Sequence, residues 1–266
     1  MFSTRQGQGN ANESTTRAAK YLSIGTGSST IQLPSIATPP TAHFNQTAMS
    51  FNGSNTAITI KQSSSTNCAA SWSATSSNSQ NGGTNGNLWI QNTGQVTYEF
   101  WVYFNSVSGQ IGFLEYGQNG VALGIKSDHT TVFFSQSQVS YGSTFTVPTL
   151  TTGTWYHMVW QRSQNGLASP QIGFWLNGTS YTAVTNSTTF TGTNPSGSTG
   201  TTITTPWIGG GQGSVFINGY MQEFRISNIA RYAPGVNFTP PNAPFVNDPN
   251  TLLLIHGTSP LQDDNS

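Results

Sequence analysis

Asn218-Gly219-Tyr220-Met221-Gln222-Glu223-Phe224-Arg225-Ile226-Ser227 opens the stretch on which the fold reading rests, and Thr251-Leu252-Leu253-Leu254-Ile255-His256-Gly257 closes it. Between them stand Asn228-Ile229-Ala230-Arg231-Tyr232, Asn237-Phe238-Thr239-Pro240-Pro241 and Asp248-Pro249-Asn250. Met221 to Ile226 is β-type sequence without a breaker and predicts a strand. Asn228 to Tyr232 predicts a short, turn-like helical piece. Pro240 and Pro241 cannot join a central ladder, so they stiffen a crossing segment. Thr251 to Ile255 is a continuous apolar run, the pattern of a strand buried on both faces.

Upstream, the signals repeat at short intervals. Ala48–Phe51 and Ala57–Lys61 flank the turn signal Asn52-Gly53. Val96 to Tyr103 alternates: Val96, Tyr98, Phe100 and Val102 point one way, Thr97, Glu99, Trp101 and Tyr103 the other. Strands are also predicted over Ile111–Tyr116, Val121–Lys126, Thr131–Phe134, Trp155–Trp160, Ile172–Leu176 and Tyr181–Val184, with Asn177-Gly178 as a type I′ hairpin turn. Trp207-Ile208 ends in a run of glycine. No helical period of ten or more residues occurs. Regular short strands with turn signals predict an all-β sandwich or jelly roll.

Composition narrows the partners. Charged residues make up 6% of the chain, with eight basic and eight acidic side chains and no net charge, where about 25% charged is usual. Clustered Lys and Arg are missing, which argues against nucleic acid and against an electrostatic membrane partner. No apolar run approaches the ~18 residues of a membrane span, and no leader is read in the first twenty residues. The 12% aromatic content supplies a core that a polar, charge-poor chain would otherwise lack. Cys68 is the only cysteine, so no intramolecular disulfide forms.

The closing stretch resembles the C-terminal end of laminin-G-like domains in the concanavalin A-like lectin/glucanase superfamily, most nearly the versions found in tailed-phage virion proteins. Arg225, Ile226, Ser227, Ala230, Arg231, Tyr232, Phe238, Pro240, Asp248, Thr251 and Leu252 to Leu254 carry the match. Glu99 and Trp101 match the strand Phe-Thr-Ile-Glu-x-Trp-Val, and Gly153-Thr154-Trp155-Tyr156-His157 matches Gly-x-Trp-(Tyr/His)-His. Gln222 stands where the family has Asp, and Asn52 and Asn55 replace its other acidic spot. The resemblance implies a concanavalin A-like jelly-roll sandwich over residues 46–258. It would be preceded by an extended N-terminal arm over 1–45, acting as an anchor, and followed by a tail over 259–266. It further implies a non-enzymatic structural protein on the exterior of a tailed-phage virion, a capsid decoration, knob or fibre component, with host-glycan adhesion as an accessory capacity. The partners are then other virion proteins through residues 1–45, further copies of the chain and cell-surface carbohydrate. Its place is the virion surface after assembly in the host cytoplasm. The alternative is a carbohydrate-active enzyme or its accessory lectin module.

The chemistry-bearing residues are few. Superfamily glucanases carry Glu-x-Asp-x-x-Glu; here no two of Glu13, Glu99, Glu115, Asp128, Glu223 and Asp248 lie two apart. An acid pair for retaining hydrolysis, ~5–5.5 Å apart, would require Glu99 and Glu115 to meet on neighbouring strands. The competing expectation is that Glu99 is buried and paired with Arg225 or Arg162, because a buried carboxylate needs such a partner. His43, His129, His157 and His256 lack ligand spacing and read as structural. No cofactor is expected; calcium, which wants six to eight hard oxygens, would fall to Glu223, Asp248 and carbonyls at weak affinity. Trp72, Trp89 and Trp101 are the candidates for stacking on sugar rings, the first two in or beside the Ser/Asn/Gly-rich insertion of residues 62–86. Trp155 and Trp160 read as core.

Overall fold

The computed structural model describes residues 20–23, 32–41, 43–44, 47–62, 95–115, 121–136, 142–163, 171–186, 207–210 and 215–258. They form no α-helix; the crossing after Ser227 consists of bends and turns, so the short helical piece expected at Asn228–Tyr232 is absent. The strands are β1 (Lys20–Ser23), β2 (Ser35–Ala37), β3 (Ala48–Asn52), β4 (Ile58–Gln62), β5 (Val96–Ser106), β6 (Ile111–Glu115), β7 (Val121–Ile125) and β8 (Thr131–Gln136). They continue with β9 (Ser143–Thr146), β10 (Trp155–Arg162), β11 (Ile172–Leu176), β12 (Thr179–Tyr181), β13 (Ala183–Asn186), β14 (Trp207–Ile208), β15 (Asn218–Ser227) and β16 (Thr251–Ile255).

Two antiparallel sheets pack face to face. One runs β1-β4-β14-β6-β7-β8-β9-β13, the other β12-β11-β10-β5-β15-β3-β2. β15 lies between β5 on one side and, on the other, β3 against its first half and β16 against its second. The inner faces interdigitate as the alternation of β5 requires. Tyr98, Phe100, Val102 and Phe104 meet Phe113, Phe134, Trp160, Phe174 and Phe224 in one core, with Trp160 stacked on Phe100 at 5.7 Å and tilted against Phe174 at 4.7 Å. Burial of these rings supplies most of the driving force, at ~25 cal/mol per Å² of apolar surface. This is the all-β jelly-roll sandwich that the strand pattern implies.

Three features differ from the sequence reading. The arm does not stand apart from the sandwich: β1 pairs with β4 in one sheet and β2 with β3 in the other. Strand addition satisfies backbone groups without demanding side-chain chemistry, so even so polar a segment contributes strands; β1 overlaps Tyr21–Ile24, which reads from sequence as a short extended piece, whereas β2 has no such signal. Tyr181 to Val184 is not one strand, because the chain changes sheets at Thr182, leaving β12 on β11 and β13 on β9. β9, which the sequence reading passed over, is what β13 pairs with. Finally, β15 is not uniform. It carries one extra residue between Gln222 and Arg225 relative to β5, and Glu223 there has φ 54°. The bulge resets the alternation, so that Met221, Phe224 and Ile226 all enter the core while Arg225 turns outward.

Candidate functional site

The outer face of the β5 sheet gathers nearly every chemistry-bearing side chain of the described residues. Strand register places them in rows. Arg225 is directly opposite Glu99, Ser227 opposite Thr97 and Gln222 opposite Trp101 on β15; Val159 is opposite Glu99, Gln161 opposite Thr97 and His157 opposite Trp101 on β10. Over this face runs the crossing of residues 228–250.

Glu99 is fully buried. Its Oε1 accepts from Arg225 Nε at 2.8 Å and faces Arg225 Nη2 at 2.6 Å; its Oε2 accepts from the Tyr232 hydroxyl at 2.6 Å. His157 Nε2 stands 3.7 Å away. Burial alone would raise the Glu99 pKa, yet His157, Arg225 and Tyr232 together hold it below the ordinary carboxylate value. The same contact, after burial itself, pushes the Tyr232 phenol upward. Of the two cations weighed from sequence, the structure brings Arg225 to Glu99; Arg162 has the parity of Met158 and Trp160 and lies on the inter-sheet side of β10. Arg225 also lies over the Phe245 ring at 4.2 Å.

Arg231 forms the second knot. It grips Asp248 with two contacts of 2.8 and 3.0 Å and donates from Nε to Ser227 Oγ at 2.6 Å. Hydrogen bonding from Arg231 holds the Asp248 pKa at about 2, against an ordinary 3.8. A carboxylate depressed in this way stabilises the fold above pH ~3.8 and loses that contribution as pH falls through about 2. Acid unfolding of Asp248→Asn should therefore fall away less steeply between pH 4 and pH 2 than that of the parent chain, followed by circular dichroism.

A third carboxylate, Glu223, sits on the bulge. It is fully buried and accepts from the Phe245 amide at 2.7 Å and from His256 Nδ1 at 2.7 Å. Those bonds offset the ~1–2 kcal/mol that a left-handed backbone costs a residue with a Cβ. The side chains that sequence reading missed are amides and a hydroxyl. Gln161 accepts from the Tyr232 amide at 2.9 Å and donates to the Tyr232 carbonyl at 2.7 Å, while Thr97 donates to the Ile229 carbonyl at 2.7 Å. Neutral side chains that dock backbone to backbone leave no spacing signature.

The remaining candidates separate. Glu115 lies on β6 in the opposite sheet, paired across to Trp207, so Glu99 and Glu115 do not meet on neighbouring strands. Glu223 and Asp248 sit in different knots, each with its own partner. Among the described residues no group of three or more His, Cys, Asp or Glu is placed to hold a metal ion. Asn52 and Asn55 bond to each other at 2.6 Å, and Gln222 donates to the Thr47 carbonyl at 2.6 Å. Trp72 and Trp89 lie outside the described residues. Trp101 is 8% exposed, in contact with His43 and His157, so its ring offers no open face. Trp160 is core, and Trp155 is half-buried at the rim.

Comparison with known proteins places this arrangement. No curated protein matches the chain. Among solved structures it is similar to a candidate carbohydrate binding protein from Bacteroides ovatus, at 16% identity and a TM-score of 0.45 over 65% of this chain and 50% of that one. It is also similar to the native heptameric SAP-like pentraxin of Limulus polyphemus, at 15% identity and 0.37 over 53% and 66%. Domain 4 of AbnA, a GH43 extracellular arabinanase from Geobacillus stearothermophilus solved with arabinotriose, gives 11% identity and 0.37 over 79% and 81%. The chain spans about half the length of the first of these. The laminin-G model of the concanavalin A-like lectin/glucanases superfamily matches residues 75–237, more than half of the chain, and the chain belongs to that superfamily.

Proposed function

We propose that this chain is a non-enzymatic structural protein on the exterior of a tailed-phage virion, a capsid decoration, knob or fibre component, with carbohydrate adhesion as a capacity of its lectin-like fold. The observation that carries the reading is the closing segment. Arg225, Ser227, Arg231, Tyr232, Asp248 and Thr251, which match the virion-type pattern, are joined in one bonded cluster that seals the outer face of the β5 sheet. That use of the acids supports a non-catalytic role, since Glu99, Glu223 and Asp248 are each held by a cationic or histidine partner. A chain with 6% charged residues and many amides and hydroxyls suits neutral hydrogen bonding to sugars.

The tether to other virion proteins was expected over residues 1–45. Because residues 20–23 and 35–37 belong to the chain's own sheets, the tether narrows to residues 1–19. Mass spectrometry of purified particles tests this: the full chain should copurify with them, and a chain lacking residues 1–19 should not. Absence of the full chain from particles overturns the virion reading, and incorporation of the shortened chain moves the tether elsewhere.

The enzyme reading is tested on the same protein. No release of reducing ends from laminarin or agar is expected. Release that Glu99→Gln or Glu115→Gln abolishes in a folded protein would make the chain a glycosidase.

A further inference from the structure

One ring of the N-terminal segment sits between two indoles. The His43 centroid is 4.0 Å from that of Trp101 and 5.4 Å from that of Trp155, tilted 29° to the latter. Phe44 meets the edge of Trp101 at 5.7 Å, and Trp155 Nε1 donates to the Thr41 carbonyl at 2.8 Å. The aromatic row continues from Trp155 to Tyr103 at 5.6 Å and from Tyr103 to Tyr220 at 6.0 Å. Around His43 several polar atoms are unsatisfied: His43 Nε2, Trp101 Nε1 and His157 Nδ1 are buried without a hydrogen-bond partner, while His157 Nε2 faces the Glu99 carboxylate at 3.7 Å. Trp101 is 8% exposed and His157 fully buried. Unpaired buried donors and acceptors are costly and uncommon, and three of them around one slot call for a reason.

We propose that Thr41, His43 and Phe44 form a removable cover over a sugar-stacking slot between Trp101 and Trp155, released when His43 takes up a proton. The proposal rests on the carbohydrate-adhesion part of the function above and gives it a place. The slot takes a pyranose ring, its apolar face on an indole and its hydroxyls toward Trp101 Nε1 and His157 Nδ1.

Protonation is the release step because no carboxylate among the described residues is paired with His43. His157 of β10 is its titratable neighbour. Behind His157 stands Glu99 of β5, whose carboxylate is taken by Arg225 of β15 and by Tyr232, with Arg231 3.6 Å away. Burial, and then His157, hold the seated His43 at a pKa of about 4, against an ordinary 6.5. Attraction of an imidazolium to the indole faces offsets part of this. The seated ring therefore favours the neutral form. The equilibrium constant for seating has its full value above pH ~6.5 and falls as pH drops toward 4, by about tenfold or more.

The test uses the full chain and two variants. Tryptophan fluorescence is followed from pH 7.5 to 4, with circular dichroism as the check on the fold. The parent chain should show a reversible red shift between pH 6.5 and 4 with its β-signal unchanged. His43→Phe, which keeps a ring in the slot and does not titrate, should show none. A parent chain without the shift, or the same shift in His43→Phe, overturns the cover. Retention on immobilised dextran, chitin-oligosaccharide and galactan fragments is then read. The parent chain at pH 4.5 and His43→Gly at pH 7.5 should be retained, and His43→Phe at neither pH. Equal retention of the parent chain and His43→Phe at pH 4.5 overturns the slot and leaves carbohydrate adhesion standing. A fluorescence shift with no retention of any form on any of these sugars overturns the sugar slot, and carbohydrate adhesion with it.

Discussion

Replacing Arg225 by leucine should lower the stability of the fold by ~3–5 kcal/mol, the cost of leaving a buried carboxylate without its cation. Glu99 is fully buried and takes two of its contacts from Arg225. Arg231 at 3.6 Å and the Tyr232 hydroxyl remain nearby, which argues for the lower half of that range. Glu99→Gln should cost less, ~1–3 kcal/mol, because the amide still accepts hydrogen bonds and the cation it leaves behind, Arg225, reaches solvent at its edge and lies over the Phe245 ring. The two changes together should recover part of the Arg225→Leu loss, since the double variant carries no stranded ion. Urea unfolding midpoints at constant slope measure all three. An Arg225→Leu variant as stable as the parent chain would mean that Glu99 is held by its other partners and that the pair is dispensable.

The second large effect is expected at Gly178. It sits at φ 78° in the β11–β12 turn, and a Cβ there would lie 1.9 Å from the Phe238 carbonyl oxygen. Alanine meets two penalties. The left-handed backbone costs ~1–2 kcal/mol, and the clash is with backbone, so the crossing itself must move. That movement breaks the bond from the Phe238 amide to the Gly178 carbonyl at 2.9 Å and shifts Phe238 off the ring of Tyr232, stacked at 4.0 Å. A total on the order of 3 kcal/mol is expected, among the larger single-site effects. Asn177 tolerates its φ of 50° as Asn commonly does, and its side chain accepts from the His157 amide at 2.8 Å. Thermal unfolding of Gly178→Ala beside a neighbouring exposed substitution, Thr179→Ala, checks the size: equal midpoints would show that the crossing adapts without cost.

Both effects arise from features written in the chain to different depths. The Asn177-Gly178 turn is legible because only residues that accept positive φ make a tight type I′ hairpin. That this turn also receives Phe238 is not legible, since contact across sixty residues leaves no local pattern. Glu99 shares parity with Trp101 because side chains alternate along a strand, so its placement on one face with an aromatic residue follows from counting. Its partner does not. Arg225 would have pointed into the core had β15 alternated regularly, and the bulge at Glu223 turns it outward. Bulges without glycine carry no local signal, and this one is stabilised from outside the strand by Phe245 and His256.

The sheet pairing of the N-terminal strands and the sheet change at Thr182 are hidden in the sequence for a related reason. β1, β2, β12 and β13 are short elements at the sheet edges, each paired with a single neighbour. The sequence by itself determined the all-β class, the strand periodicity, the hairpin and the superfamily motif, because these depend on alternation and on residues with restricted backbones. Tertiary structure alone decided which cation meets Glu99, which sheet the edge strands join and that His43 closes over Trp101. Those outcomes depend on register and on contacts between distant segments, which become defined only when both sheets are assembled.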